Sequence, residues 1–307
     1  MTIRVTPTHG TLGAEVSGVS LRQLEDTSLA TIEDAFNEYG VLVFPDQQLT
    51  QGEQVEFALR FGKIEINGEY TLSARNEVTG FGPGPVIVQV SNVDPNGVHI
   101  KDANHPLTRL RVGNEGWHSD SSFKPHAAKA SILAAQELPT KGGNTEFADM
   151  RAAFDALTDD EKLFLRPLRA WHSIRYSNAS IGASEEEPTD DPREMPGAEH
   201  ALVHTHPVTG RPSLFIGRHA CAIRGMEIDV AQDLLARLLA DACRPPRIYS
   251  HKWRVGDVLV WDNRCVLHRV TPWDLAERRV LRHVRVAGES EEGAAPKPQP
   301  VAASTDI

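Results

Sequence analysis

The chain is poor in cysteine. Cys221, Cys243 and Cys265 are its only three, widely spaced and without a CxxC pair. An odd, scattered set supports neither a disulfide framework nor a thiolate zinc site, and a reduced cytoplasmic compartment is the simplest reading. Positive charge is also in deficit. A formal net charge of −10 argues against nonspecific binding to DNA or RNA, because neutralising phosphates takes clustered Lys and Arg. No apolar run reaches the roughly 18 residues of a membrane span. The opening "MTIRVTPTHGTLGAEVSG" has no apolar core of signal-peptide length. The expected partners therefore exclude nucleic acid and membrane. What remains, 40% hydrophobic and 24% charged residues in a chain of 307, is a globular composition with ample material for a core.

Short strands and a few helices alternate irregularly. "VLVFPD", residues 41–46, reads as a buried strand closed by proline, and "PVIVQVSNV", residues 85–93, as another. "LEDTSLATIEDAFNEYG" has Leu29, Ile32 and Phe36 at helical spacing, with Gly40 as its stop. "TQGEQVEFALRFG" is a second helix capped by Thr50. Residues 94–112 read as a polar loop, and the acidic, proline-broken residues 183–200 as an exposed insertion. "KASILAAQEL" fits strand or helix. "DMRAAFDALTDDEKLFL" reads as a helix, a turn and a second helical start. "ALVHTHPVTGRPSLFIG" looks like two strands around Thr209–Gly210. In "EIDVAQDLLARLLADAC" the stripe Leu234, Leu235, Leu238, Leu239 belongs to a core or a subunit interface. "GDVLVWDNRCVLHRV" and "RRVLRHVRVAG" are late strands. The pattern predicts a mostly β sandwich or barrel with helical decoration, since regular strand–helix alternation is absent. Residues 289–307 have the composition of a disordered tail.

The chemistry centres on "GNEGWHSDSSF", residues 113–123. In an extended segment His118 and Asp120 point the same way. Alone, such a pair reads as a surface ion pair. With a second histidine it becomes a ligand set suited to Fe(II), Zn(II) or Mn(II), and two histidines with one carboxylate leave three positions of an octahedron open. His268, following "GDVLVWDNRCVL", stands out among thirteen histidines as the third member. "GGNTEF", residues 142–147, offers a Gly-Gly turn that lets backbone approach a small anion, and a Thr145 hydroxyl to bond it; it also fits a plain hairpin. In "ERRVLRHVR" an extended chain would put Arg279, Leu281, His283 and Arg285 on one face and Arg282 on the other. An arginine near the metal could hold a carboxylate in fork geometry, while most such runs are solvated strand edges. His204 and His206 share a face but are read as structural or as supports behind the ligands, and His172 and His219 as structural.

Together, "WHSD", "GGNTEF", "DMRAAFDAL" and "VWDNRCVLHR" followed by "RRVLR" resemble the taurine / 2,4-dichlorophenoxyacetate dioxygenase family. The likeness runs from about Val5 to Glu289 and is closest to the aryloxyalkanoate branch in "SDSSF", "GRPSLFIGRHA" and "RVTPWDLAERRV". It implies a double-stranded β-helix (jelly-roll) core over a single domain, residues 1–288. It implies Fe(II), with 2-oxoglutarate and dioxygen as cosubstrates. His118, Asp120 and His268 would be the iron triad. Thr145 and Arg279 would hold the distal carboxylate of 2-oxoglutarate, and Trp261 would line the cosubstrate pocket. Some members carry an arginine four residues after the cosubstrate arginine; this chain has His283 there, flanked by Arg282 and Arg285. The substrate pocket is expected among Asn114, Ser121, residues 64–112 and His283.

The implied reaction hydroxylates a small organic anion while 2-oxoglutarate becomes succinate and carbon dioxide. An aryloxyalkanoate, as in herbicide degradation, would be cleaved at its ether to a phenol and a 2-oxo acid. The alternatives are the same chemistry on an alkylsulfonate, a sulfate ester or another carboxylate, and a jelly-roll that senses a ligand without turnover. A zinc hydrolase is disfavoured, since no placed general base accompanies the ligands. Self-association into a homo-oligomer is expected from the family.

Overall fold

Strand Val258–Asp262 is buried along its whole length, and its two faces enter different cores. Val258 and Val260 pack with helices, while Leu259 and Trp261 pack against a second sheet. A strand covered on both sides has no polar alternation, which is why "VLVW" and "VLVF" read as unbroken apolar runs. In this computed structural model residues 2–8, 10–65, 87–94 and 96–288 are described. The expected tail at 289–307, residues 66–86 of the segment 64–112 expected to help form the substrate pocket, and the first residues of the expected strand at 85–93 lie outside them.

The strand is a central member of a seven-stranded sheet, ordered Arg4–Pro7, Ala14–Ser17, Val41–Phe44, Val258–Asp262, Ala130–Glu137, Val280–Val286, Val88–Ser91. Neighbours are antiparallel except Ala14–Ser17 beside Val41–Phe44. A three-stranded sheet, Ile248–His251, Thr145–Asp149, Val266–Val270, packs on its inner face. Phe147, Val266 and partly buried Tyr249 from the small sheet meet Val41, Leu133, Leu259, Trp261 and Leu281 from the large one. This is the jelly-roll sandwich, and "KASILAAQEL" is resolved as strand. Its Ala130, Ile132 and Ala134 alternate with Leu133 and Ala135 between the two cores.

Helices close both outer faces. Asp26–Tyr39 ends at Gly40, whose φ of 69° is the left-handed cap. Gln51–Leu59 begins with a reciprocal capping box between Thr50 and Glu53. Phe36, Phe57 and Phe61 stack edge to face beneath the large sheet, each contributing on the order of 2 kcal/mol by burial. Behind the small sheet lie Met150–Asp155 and Ile228–Ala242. Leu235 and Leu238 are buried there with Leu234 and Leu239 packed alongside, so the leucine stripe packs on the core.

Three expectations need correction. Within residues 94–112 a helix, Pro106–Asn114, takes up the second half. Its signal was proline at the first helical position. Within residues 183–200, Pro192 and Met195 are buried, and Ala198–Ala201 pairs with Arg169–His172. The acidic side chains ahead of them hold the exposed part, as where Arg175 pairs with Glu186. The WHSD stretch is not a strand: only His118 makes a bridge, and Asp120 enters a turn at Ser121, whose φ is 56°.

Candidate active site

His118 and His268 face each other across an isolated antiparallel bridge. Each main chain bonds the other, His118 N–H to His268 O at 3.0 Å and His268 N–H to His118 O at 2.9 Å. Directly opposed residues of such a pair put their side chains on one side, and the imidazole centroids lie 4.2 Å apart. His118 Nδ1 lies 2.8 Å from Gly116 O and donates to it, which fixes the tautomer and turns the Nε2 lone pair inward. Asp120 completes the group. One donor atom from each of His118, Asp120 and His268 lies within 4.8 Å of the others, and all three residues are buried.

Two imidazoles and a carboxylate at this separation fit an octahedral divalent ion such as Fe(II). Their protonation suits it. Burial lowers the pKa of His118, and burial aided by the charge of His118 lowers that of His268 well below the ordinary value. Burial opposes ionisation of Asp120, but His268, His283 and Arg285 outweigh it and hold the carboxyl well below the usual range. Neutral imidazoles and a carboxylate are the forms that would bind a metal.

Behind Asp120 runs a buried relay that the motifs did not announce. Ser131 donates to Asp120 Oδ2 at 2.6 Å and accepts from Asn263 Nδ2 at 2.9 Å. Asn263 Oδ1 accepts the Asp120 N–H at 3.2 Å and the Trp261 indole at 3.0 Å. Ser131 comes from the large sheet and Asn263 from the turn after "VWD", so the sandwich itself orients the carboxylate. Trp261 is a platform under the ligands: its ring lies 4.7 Å from that of His268 and stacks on His283 at 5.7 Å.

The expected cosubstrate residues converge nearby. Arg279 is 1% exposed. Its Nε donates to Gly143 O at 3.0 Å, and its guanidinium lies over Trp273 at 5.0 Å. Among the described residues no carboxylate pairs with it. Burial, with the charge of Arg111, pushes its pKa down to about 9. The Gly-Gly turn serves this arginine. Gly143 has φ of 66°, and a Cβ there would stand 3.0 Å from Arg279 Cδ and Nε. Thr145 Oγ1 accepts from the Trp253 indole at 2.9 Å, which leaves its hydroxyl hydrogen to donate.

The candidates for substrate contact divide. His283 Nε2 stands 3.4 Å from Asp120 Oδ2, inside the site. Asn114 is the half-buried last residue of its helix. Ser121 and Arg285 are held elsewhere: Glu65 Oε1 accepts Ser121 at 2.8 Å, Lys124 at 2.8 Å and Arg285 Nε at 3.0 Å. Arg282 sits on the opposite face of its strand, where it donates to Leu49 O. A strand alternates, and only the face bearing His283 reaches the site.

Sequence reasoning passed over Arg218. Its guanidinium is half-buried and, among the described residues, bonds neutral acceptors alone, Ser177 O at 3.0 Å and Asn178 Oδ1 at 2.8 Å. Burial pushes it down to about 10, and its charge adds to the lowering of His118. "GNEG" makes room for it: a Cβ on Gly113 would lie 2.7 Å from its Nη1, and one on Gly116 3.0 Å from its Cδ.

A second cluster, His206, Asp262 and Cys265, also converges within 4.8 Å. Its atoms are committed. His206 Nδ1 accepts from Val208 and Thr209 N–H at 3.3 and 3.1 Å, so Nε2 carries the proton and donates to Asp262 at 2.9 Å. Arg264 clamps both Asp262 oxygens at 2.7 and 2.5 Å, and burial raises the Cys265 pKa well above its ordinary value. This is a hydrogen-bonded knot. His204, stacked on Phe215 at 4.0 Å, and His219, bonded to Ser177 Oγ at 2.7 Å, likewise serve packing.

The model of the family described as "Taurine catabolism dioxygenase TauD, TfdA family" matches residues 4–286. The chain is 41% identical over 291 residues to an (S)-phenoxypropionate/alpha-ketoglutarate-dioxygenase of Sphingobium herbicidovorans, covering 93% of this chain and 95% of that protein. It is 39% identical over 284 residues to an alpha-ketoglutarate-dependent 2,4-dichlorophenoxyacetate dioxygenase of Cupriavidus pinatubonensis, covering 92% and 96%. The crystal structure of AAD-2 in complex with Mn(II) and N-oxalylglycine matches at a TM-score of 0.86, with 37% identity over 94% of this chain and 99% of that one. Likeness of this extent settles the family: the chain belongs to the taurine catabolism dioxygenase TauD, TfdA family and is an Fe(II)- and 2-oxoglutarate-dependent dioxygenase.

Proposed function

We propose that the enzyme cleaves aryloxyalkanoates, with His118, Asp120 and His268 holding the iron and Arg218 receiving the carboxylate of the substrate. The observation that carries the substrate reading is the cation itself. Arg218 is half-buried, has no acidic partner among the described residues and lies close enough to His118 for its charge to be felt there. A buried cation without a counterion is costly, and an incoming carboxylate relieves that cost. The names of the relatives, phenoxypropionate and 2,4-dichlorophenoxyacetate dioxygenases, support the same class.

Bound iron, with 2-oxoglutarate and dioxygen, supplies the oxidation of a substrate C–H to C–OH, the cosubstrate leaving as succinate and carbon dioxide. The protein positions the reactants and keeps water out. Arg279 and the free hydroxyl hydrogen of Thr145 hold the distal carboxylate of 2-oxoglutarate. Arg218, holding the acid group, presents the neighbouring carbon, between carboxylate and ether oxygen. Hydroxylation there gives a hemiacetal or hemiketal, which collapses to a phenol and a 2-oxo acid. Ser131 and Asn263 keep Asp120 aligned.

Cytoplasmic location belongs to the same proposal, supported by three free thiols, and no helix among the described residues is long and apolar enough to cross a membrane. So does self-association, which sedimentation would test. The substrate assignment is tested with a panel of phenoxyacetates, phenoxypropionates, alkylsulfonates and alkyl sulfates, each scored by succinate and product release. Phenol release from the aryloxy acids alone supports the reading. Turnover confined to the sulfur acids overturns it. Arg218→Ala should raise the KM for the acid by more than tenfold and leave cosubstrate affinity unchanged.

A further inference from the structure

Arg279 has a companion. Arg111, on the helix Pro106–Asn114, brings a second guanidinium to the same indole: its Cζ lies 4.6 Å from the Trp273 ring, against 5.0 Å for Arg279. The two charges sense each other, since Arg111 adds to the lowering of the Arg279 pKa. Arg111 is mostly buried; its Nη1 faces Glu115, and its Nε is shielded from water with no hydrogen-bond acceptor among the described residues. Its acidic neighbour, Glu115, is one turn along the same helix at 3.1 Å. The indole N–H of Trp273 is also buried without an acceptor among the described residues. Arg279 spends its Nε on a carbonyl and its main-chain N–H on Asn92 Oδ1.

The charges therefore do not balance. Among the described residues two guanidiniums share one ring, and one carboxylate, Glu115, pairs with Arg111. Arg111 Nε and the Trp273 indole N–H lack acceptors among the described residues. Like charges brought together in a poorly solvated place repel, and an unpaired buried cation is costly. An anion that brings a full negative charge and more than one acceptor oxygen relieves both. A carboxylate does this, and guanidiniums suit it because their planar forks match its geometry.

We propose that Arg111 is a second cosubstrate-binding residue, forming with Arg279 beside Trp273 a two-guanidinium receptor for the distal carboxylate of 2-oxoglutarate. The proposal rests on the reading of Arg279 as the cosubstrate arginine. It has a structural consequence. The helix bearing Arg111 ends at Asn114, and Gly116, Trp117 and His118 follow directly. Cosubstrate bound at Arg111 thereby ties this helix to the segment that carries the first metal ligand.

The test measures binding to the full-length, Mn(II)-loaded protein by calorimetry, with 2-oxoglutarate and with 2-oxobutyrate, which lacks the distal carboxylate. Tryptophan fluorescence gives a parallel reading. Arg111→Ala should weaken 2-oxoglutarate about tenfold or more, leave Mn(II) stoichiometry at one, and leave 2-oxobutyrate unchanged. Arg111→Lys should restore part of the loss. If Arg111→Ala binds 2-oxoglutarate like the wild type while Arg279→Ala does not, Arg111 is outside the receptor and the reading of Arg279 stands. If Arg111→Ala weakens both acids equally, its role is structural and the proposal fails. If neither Arg111→Ala nor Arg279→Ala changes 2-oxoglutarate binding, both readings fall.

Discussion

The main chains of His118 and His268 hold each other through two hydrogen bonds, at 3.0 and 2.9 Å, whatever their side chains do. The pairing of the two imidazoles is thus set by backbone, and the rings can be removed without removing the bridge. His118→Ala or Asp120→Ala should abolish metal retention and succinate formation while cooperative unfolding persists. Circular dichroism and a Mn(II) titration check this together. Wild-type turnover by either variant contradicts the ligand assignment.

The relay behind Asp120 makes a different prediction. Ser131→Ala deletes the 2.6 Å bond to Oδ2 and leaves Asn263 Nδ2 without its acceptor. Supporting partners of a metal ligand typically alter affinity by about 10- to 100-fold. Mn(II) affinity should fall by that factor, and stability by about 1–3 kcal/mol for the unpaired amide. Unaltered Mn(II) affinity in Ser131→Ala removes the relay from the metal site.

Gly143 should be intolerant in a specific way. Its φ is 66°, and a methyl group meets Arg279 at 3.0 Å. Gly143→Ala is expected to lower stability by about 1 kcal/mol or more, and to raise the 2-oxoglutarate requirement several-fold with metal affinity intact. An unchanged cosubstrate requirement would separate the Gly-Gly turn from the arginine it packs on.

Acid sensitivity follows from two histidines away from the metal. Burial pushes His200 down to about 4 and His204 to about 3. In the unfolded chain both titrate near 6.5. Below that value the unfolded state binds protons that the folded state refuses. Stability that is whole above about pH 6.5 is therefore lost as pH falls toward 4 and then 3. Urea midpoints between about pH 7 and 4 should fall, and fall less in His204→Gln. Parallel profiles for the two proteins contradict this origin.

Much of the fold was legible because its signals are local. Gly40 ends a helix by needing a left-handed φ, and Thr50 with Glu53 begins one by mutual capping. Val258 to Trp261 declare a strand covered on both faces. The convergence of His118, Asp120 and His268 was legible through resemblance more than through spacing, since Asp120 lies in a turn and the face-sharing argument did not apply to it. Ser131, Asn263, Arg218 and Arg111 were not singled out. Each looks ordinary in sequence, and the surroundings that single it out are assembled only by the fold. Arg282 and Arg285 show the converse. They stand out as charges near a motif, but Leu49 and Glu65 hold them.

A diffraction experiment on crystals soaked anaerobically with Mn(II) and 2-oxoglutarate, recorded at the manganese edge, reaches the heart of the matter. One anomalous peak should appear within bonding distance of His118, Asp120 and His268. The cosubstrate should chelate that ion and lay its distal carboxylate against Arg279. A peak at His206, Asp262 and Cys265 instead, or a 2-oxoglutarate remote from Arg279, would contradict the site described above.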